Sequence, residues 1–101
     1  MVRRIAAVSA KSITASAGSF VGTDASRVAL VFSPPTAASG LEYTVSTDPN
    51  VTLGGGLHLS AGDGVIALDV VTHGDAVTKA WYAIGSIAGP TTVGVLEVTE
   101  T

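Results

Sequence analysis

Cysteine is absent from this 101-residue chain, which excludes a disulfide framework, a thiol nucleophile and a thiolate metal centre. Charge is scarce as well. Asp, Glu, Lys and Arg together make up 13% of the residues, against about 25% in ordinary soluble domains. Only five are basic, and the formal net charge is −3. Such a chain raises no positive field to gather phosphates, so nucleic acid is not expected as a partner. Long apolar runs are missing too. The longest, such as "VIALDVV", fall far short of the 18 or more residues that a spanning helix needs, and no membrane partner is expected.

Chemical signatures are equally sparse. The stretch "TLGGGLHLSAGDG" is rich in glycine but lacks the Gly-Lys-Ser/Thr ending of a phosphate loop and the strand-to-helix setting of a dinucleotide fingerprint. His58 and His73, with Asp63, Asp69 and Asp75, are the residues that most resemble a metal or acid/base cluster. Their spacing matches no motif, and "HGD" at 73–75 reads as a turn. No G-x-S-x-G elbow presents a serine nucleophile. Trp81 and Tyr82 would form a sugar-stacking platform only if both faced one way, and neighbours on a strand point to opposite faces. The expectation is a protein that is not an enzyme, with no cofactor, no metal and no small-molecule substrate.

What is present is a normal apolar fraction of 47%, in a chain of a length that suits one domain with one real core. A surface poor in charge must be built largely from Ser, Thr, Ala and Gly. Two settings suit it: a secreted or adhesive polar surface, or a surface covered by neighbours, since Lys, Glu and Asp are depleted in interface cores. The covered setting is the one favoured.

Period-2 alternation dominates, broken at short intervals by turn residues, and no segment carries a helical stripe. The pattern predicts strands near 3–9, 27–33, 41–47, 51–53, 57–60, 64–71, 78–85 and 92–99. Pro34-Pro35 must end the strand "RVALVF". Asp48-Pro49-Asn50 and Ala61-Gly62-Asp63-Gly64 are turn chemistry, and Gly89-Pro90 is expected to turn a final hairpin. In "LEYTVST" Leu41, Tyr43 and Val45 alternate with Glu42, Thr44 and Ser46, which marks a strand with one wet face. Other strands are apolar on both faces. Val28, Leu30 and Phe32 oppose Ala29 and Val31, while Tyr82, Ile84, Leu96 and Val98 oppose Trp81, Ala83, Val93 and Val95. A strand in a small sandwich buries one face, so the second is expected to meet something else.

The opening "MVRRIAAVSAKSITASAG" has the outline of a signal peptide, with Arg3 and Arg4 before an apolar patch and Ala15-Ser16-Ala17 as an apparent cleavage site. Ser9, Lys11 and Ser12 interrupt that patch and argue against the reading. Residues 1–20 are instead expected to form an N-terminal arm or a first strand, ahead of a domain spanning 21–101.

Between positions 26 and 100 the chain resembles the small structural proteins of tailed-phage heads. The resemblance lies in "SRVALVFSPP", "TLGGGLHLSAGDGVIALD" and "WYAIGSIAGPTTVGVLEVTE": an Arg-led apolar strand, a Gly-centred turn, and an aromatic-Ala-Ile strand before a final Val-rich strand. The matching positions are Arg27, Gly62, Tyr82, Ala83, Ile84 and Glu97. The chain departs from the pattern at Pro34-Pro35, where a polar turn containing Asn is more usual. The resemblance implies a capsid decoration or cement protein, a head fibre or another virion accessory.

The fold expected is all-β: a single jelly-roll-like β-sandwich of about seven to eight short antiparallel strands with an extended N-terminal arm. The partners expected are the major capsid protein and copies of the chain itself, with a trimer first because three-fold lattice positions invite one. Arg3, Arg4 and Lys11 are the candidates to reach acidic patches, and Trp81 is the candidate apolar anchor. The alternative is a carbohydrate-binding or adhesive β-module of a phage fibre or tail.

Overall fold

The computed structural model describes residues 3–101. Eight strands, β1 (Arg4–Ile13), β2 (Gly18–Val21), β3 (Arg27–Phe32), β4 (Tyr43–Ser46), β5 (Leu57–Leu59), β6 (Ile66–Asp69), β7 (Trp81–Gly85) and β8 (Thr91–Glu100), form two antiparallel sheets. The first has the order β1-β8-β3-β6 and the second β2-β7-β4-β5. The pairing is nested: β1 joins β8, β2 joins β7, β3 joins β6 and β4 joins β5. Two further ladders, β3 with β8 and β4 with β7, knit these pairs into the sheets.

Residues 1–20, expected as an N-terminal arm or a first strand, contribute strands to both sheets where the structure describes them. Residues 4–13 pair along their whole length with β8, and residues 18–21 belong to the other sheet. The expected final hairpin is not formed. Both edges of β7 are taken by β2 and β4 and both edges of β8 by β1 and β3, so residues 86–90 cross from one sheet to the other. The expected strand at 51–53 is a loop pinned by buried Val51. Strand β2 carries no separate expectation, being too short for alternation to show.

The strand expected over 64–71 stops at Asp69. There the carboxylate accepts a hydrogen bond from the Thr72 N–H at 2.8 Å and caps a single helical turn, α1 (Val70–His73), followed by a 3-10 turn over Gly74–Thr78. The β-branched pair Val70-Val71 favours a strand by propensity, and the cap overrides it. That hydrogen bond holds the Asp69 carboxyl below its usual range. Asp63 is lowered in the same way by the Ser60 N–H and hydroxyl, in a turn where Gly62 supplies a φ of 90°.

The two sheets share one core. Phe20 of β2 lies with its ring centroid 5.9 Å from that of Phe32 of β3, and Phe32 lies 5.3 Å from Trp81 of β7. Leu30, Tyr43, Val45, Leu59, Val93 and Val95 are buried around them. Each side chain of this size contributes about 1.5–3 kcal/mol by leaving water. Tyr43 is wholly buried except for its need of a partner, which the Ser33 carbonyl meets by accepting from its hydroxyl at 2.5 Å. Burial pushes that hydroxyl's pKa up.

Among the described residues, Arg27 is the one charged residue within this interior, 1% exposed. A bulge puts it there. Arg27 lies opposite Thr99 and Ala29 opposite Val98, leaving Val28 as the extra residue. Val28 therefore does not follow Leu30 and Phe32 inward, as plain alternation predicts, but lines an outer hollow with Ala29 and Val98. The Arg27 guanidinium donates to the carbonyls of Val77 (2.7 Å), Gly22 (2.9 Å) and Lys79 (2.7 Å) and to the Glu97 carboxylate (2.9 Å).

Of the glycine run at 54–56, Gly56 is the member held against main chain, while a Cβ on Gly55 would meet the Thr52 hydroxyl at 2.7 Å. A Cβ on Gly56 would lie 2.4 Å from the Val45 carbonyl oxygen, whereas one on Gly54 would meet nothing within 4 Å. Gly56→Ala is expected to cost about 1–3 kcal/mol through forced movement of β4, and Gly54→Ala less than about 0.5 kcal/mol. Urea unfolding of the two variants checks the contrast.

Candidate functional site

The outer face of the first sheet is built by strict alternation. In β1 the odd residues lead to buried Ile13, so Arg4, Ala6, Val8, Ala10 and Ser12 face outward. The register then sets rows across the sheet. One row runs Ala6, Val98, Ala29, Asp69, and the next runs Val8, Leu96, Val31, Ala67. Val8 is 75% exposed, Ala6 and Ala67 are exposed, and Leu96, Val98, Ala29 and Val31 are half-buried. Charge enters only at the margin. Arg4 donates from Nε to Glu100 at 3.0 Å at one end, and Asp69 sits at the β6 corner.

Helical turn α1 extends this face. Val71 is 93% exposed and Val70 is partly so; both line a hollow of about 370 Å³ with Arg4, Val28, Ala29, Asp69 and Val98. The opposite outer face, on the second sheet, is wetter. Tyr82 and Ile84 are half-buried there beside Ser19, Ser46 and His58. His58 contacts the Thr44 hydroxyl through Nδ1 at 3.0 Å and Glu42 through Nε2 at 3.4 Å. Because the Thr44 hydroxyl donates to the Leu53 carbonyl, it accepts from Nδ1–H, so the Glu42 contact becomes an ion pair when the ring is protonated.

The residues singled out in the sequence are scattered. Arg3 and Arg4 lie at the outer end of the β1–β8 ribbon, and Arg4 is engaged by Glu100. Lys11 is half-buried on the inward side of β1, so it does not share a face with Arg4. Trp81 is 6% exposed, packs on Phe32 and donates from Nε1 to the Ala76 carbonyl at 3.0 Å. It is a core residue, and the aromatic on the outside of β7 is Tyr82. Val8, in the strand expected over 3–9, and Val70 and Val71, in the one expected over 64–71, stand exposed on the surface, because alternation does not say which face is left uncovered.

His73 accepts the Asp69 N–H at Nδ1 (3.1 Å) and lines a groove of about 500 Å³ at the open side between β5 and β6, with Val45, Leu57, Ile66 and Trp81. His58 and His73 lie on different elements, and among the described residues no three His, Asp or Glu side chains gather as a metal set. The sequence's doubly apolar strands do converge: Leu96, Val98, Ala29 and Val31 stand together on one face. No family model, curated protein or solved structure matches the chain.

Proposed function

We propose that the chain is a non-enzymatic structural protein of a bacteriophage virion, a capsid decoration or cement protein that binds the assembled lattice of the major capsid protein and stabilises the head. The observation that carries the reading is the outer face of the first sheet, where neighbouring rows of Ala, Val and Leu meet solvent with charge only at the margin. Contiguous apolar surface of this kind marks an interaction site. The nested strand pairing supports a jelly-roll sandwich, the double-sheet architecture in which eight strands fold as two Greek keys and which serves in viral capsids and lectins alike.

A cement protein binds the assembled shell and not its free subunits, and so stabilises the assembly by mass action. Many weakly bound copies that also contact one another gain strength through avidity. Arg3, exposed at the end of the ribbon and with no ion-pair partner among the described residues, is left to meet acidic groups on the shell, whereas Lys11 lies on the inward side of β1. The test is the copy number of this chain in virions of the phage that encodes it, by quantitative mass spectrometry against the major capsid protein. Copies in the hundreds, at a fixed ratio to the shell protein, are expected. The carbohydrate-binding or adhesive alternative draws on the groove between β5 and β6. A handful of copies, or none, together with glycan binding, would replace the decoration reading with it.

A further inference from the structure

We propose that β1 is a self-association edge, pairing antiparallel with β1 of a second copy about a two-fold axis at Val8, so that two first sheets become one. The proposal goes beyond the shell-binding reading and stands on the hydrogen-bond geometry of a single strand. Of the four sheet edges, three are short or interrupted. Strand β2 has four residues and a register shift, β5 has three, and β6 has four and runs into the Asp69-capped turn. Strand β1 has ten residues paired to β8 without a bulge, and no described strand lies along its other side. Natural proteins guard such an edge with proline, bulges or a row of charge. Here the exposed positions are mostly Ala, Ser and Val, with Arg4 already turned to Glu100.

The free donors and acceptors can be assigned. Arg3 and Thr101 exchange both main-chain hydrogen bonds, at 3.2 and 2.8 Å. In an antiparallel ladder such pairs alternate, so the odd residues of β1 bond β8 and the even residues aim N–H and C=O at the open edge. On the far side of β8 the alternation agrees, since Glu100 donates to Ser26 and Gly94 accepts from Ser33. The groups awaiting a partner therefore belong to Arg4, Ala6, Val8, Ala10 and Ser12, spaced as only another extended strand can satisfy.

A second β1 fits that demand in one register best. With Val8 opposite Val8, Ala6 meets Ala10 and Arg4 meets Ser12, so every free even residue exchanges a pair of bonds with another. Lys11 then lies opposite Ile5, and Arg3 opposite Ile13, leaving no like charges face to face. Slipping two residues one way sets Arg3 against Lys11, a repulsive cross-strand pair. Slipping two residues the other way carries Arg4 past the end of β1. A two-fold axis normal to the sheet keeps both outer faces on the same side. The row Ala67, Val31, Leu96, Val8 then continues into its own mirror order in the second copy, an apolar stripe across eight strands, roughly 35–40 Å wide at the usual strand spacing.

The test is sedimentation velocity of the full chain from micromolar to millimolar concentration, with hydrogen exchange read amide by amide. A mass rising to the dimer is expected, with the amides of Ala6, Val8, Ala10 and Ser12 gaining protection as it forms. Val8→Pro removes an N–H that the monomer does not use, at an edge position that tolerates proline, and is expected to weaken the dimer roughly tenfold or more. Val8→Lys, which sets two ammonium groups face to face, is expected to give monomer with an unchanged circular dichroism spectrum. A monomer or trimer throughout the range overturns the proposal, as does a dimer that both variants leave intact. Protection of those amides only when phage heads are added would assign the edge to a shell strand and overturn self-pairing as well.

Discussion

Arg27→Ala is expected to lower stability by about 3–5 kcal/mol, the cost of breaking a buried charged network by removing one member. For a domain of this size that is a fall in Tm of roughly 15–30 °C. The size follows from what is left behind. Three main-chain carbonyls, of Gly22, Val77 and Lys79, lose their donor along with the Glu97 carboxylate. They belong to the segment after β2, the 3-10 turn and the approach to β7, so one side chain ties three connections to the edge of the core. Glu97 is partly exposed, and Glu97→Gln is expected to cost no more than about 1 kcal/mol, because an amide oxygen still accepts and water reaches the position. Arg27→Lys is expected to fall near the alanine variant, since a single ammonium cannot span the fan of acceptors that a planar guanidinium reaches. Thermal unfolding of the three variants gives the order; an equal loss for Arg27→Ala and Glu97→Gln would show that the ion pair, and not the carbonyl set, is what Arg27 supplies.

If the chain decorates phage heads as proposed, Leu96→Lys is expected to abolish binding to them, a loss of at least about 100-fold, while moving Tm by only a few degrees. Leu96 sits mid-row on the outer face between Val8 and Val31. Its side chain is half-buried by neighbours of its own sheet, so a lysine there runs its stem over the same surface and keeps its ammonium in water. Under a partner that ammonium would be buried without a counter-charge. Co-sedimentation of the purified variant with heads lacking the protein measures the effect. Thr92→Lys, at the far end of the β8 outer face, serves as a control of equal charge and should bind within a few-fold of the parent. Retained binding by Leu96→Lys would move the shell contact to another face.

Much of this architecture was legible in alternation alone. Trp81, Ala83, Val93 and Val95 do face the core, and Tyr82, Ile84, Leu96 and Val98 do face away from it. Alternation carries no information about which strand lies alongside, and so β7 and β8, adjacent in the chain, read as a hairpin although they lie in opposite sheets. Asp69 shows a different limit. Its neighbours Val70 and Val71 favour a strand, and one carboxylate hydrogen bond to Thr72 turns the chain instead. The outer apolar face was half visible, in the doubly apolar patterns of β3 and β8. Its remainder was hidden because alternation in the small residues of β1 does not tell which face stays uncovered until β8 is laid beside it. Arg27 heads a strand in the sequence pattern, but the bulge that swings it inward leaves no mark in composition or period.

The nested pairing also dictates an order of events as the chain is made. Arg4 pairs with Glu100 and Arg27 with Thr99, so β8 supplies the ladder on which both β1 and β3 depend. Until β8 has left the ribosome, β1 has no partner on either side, and β3 has only β6. The second sheet is under no such delay, since β4, β5 and β7 all precede β8. Contacts that span nearly the whole chain place the protein among high-contact-order β domains, which fold over milliseconds to seconds. During that interval its apolar strands are open to association with one another, which makes the tempo of synthesis, as well as the sequence, a condition of reaching the native sheet.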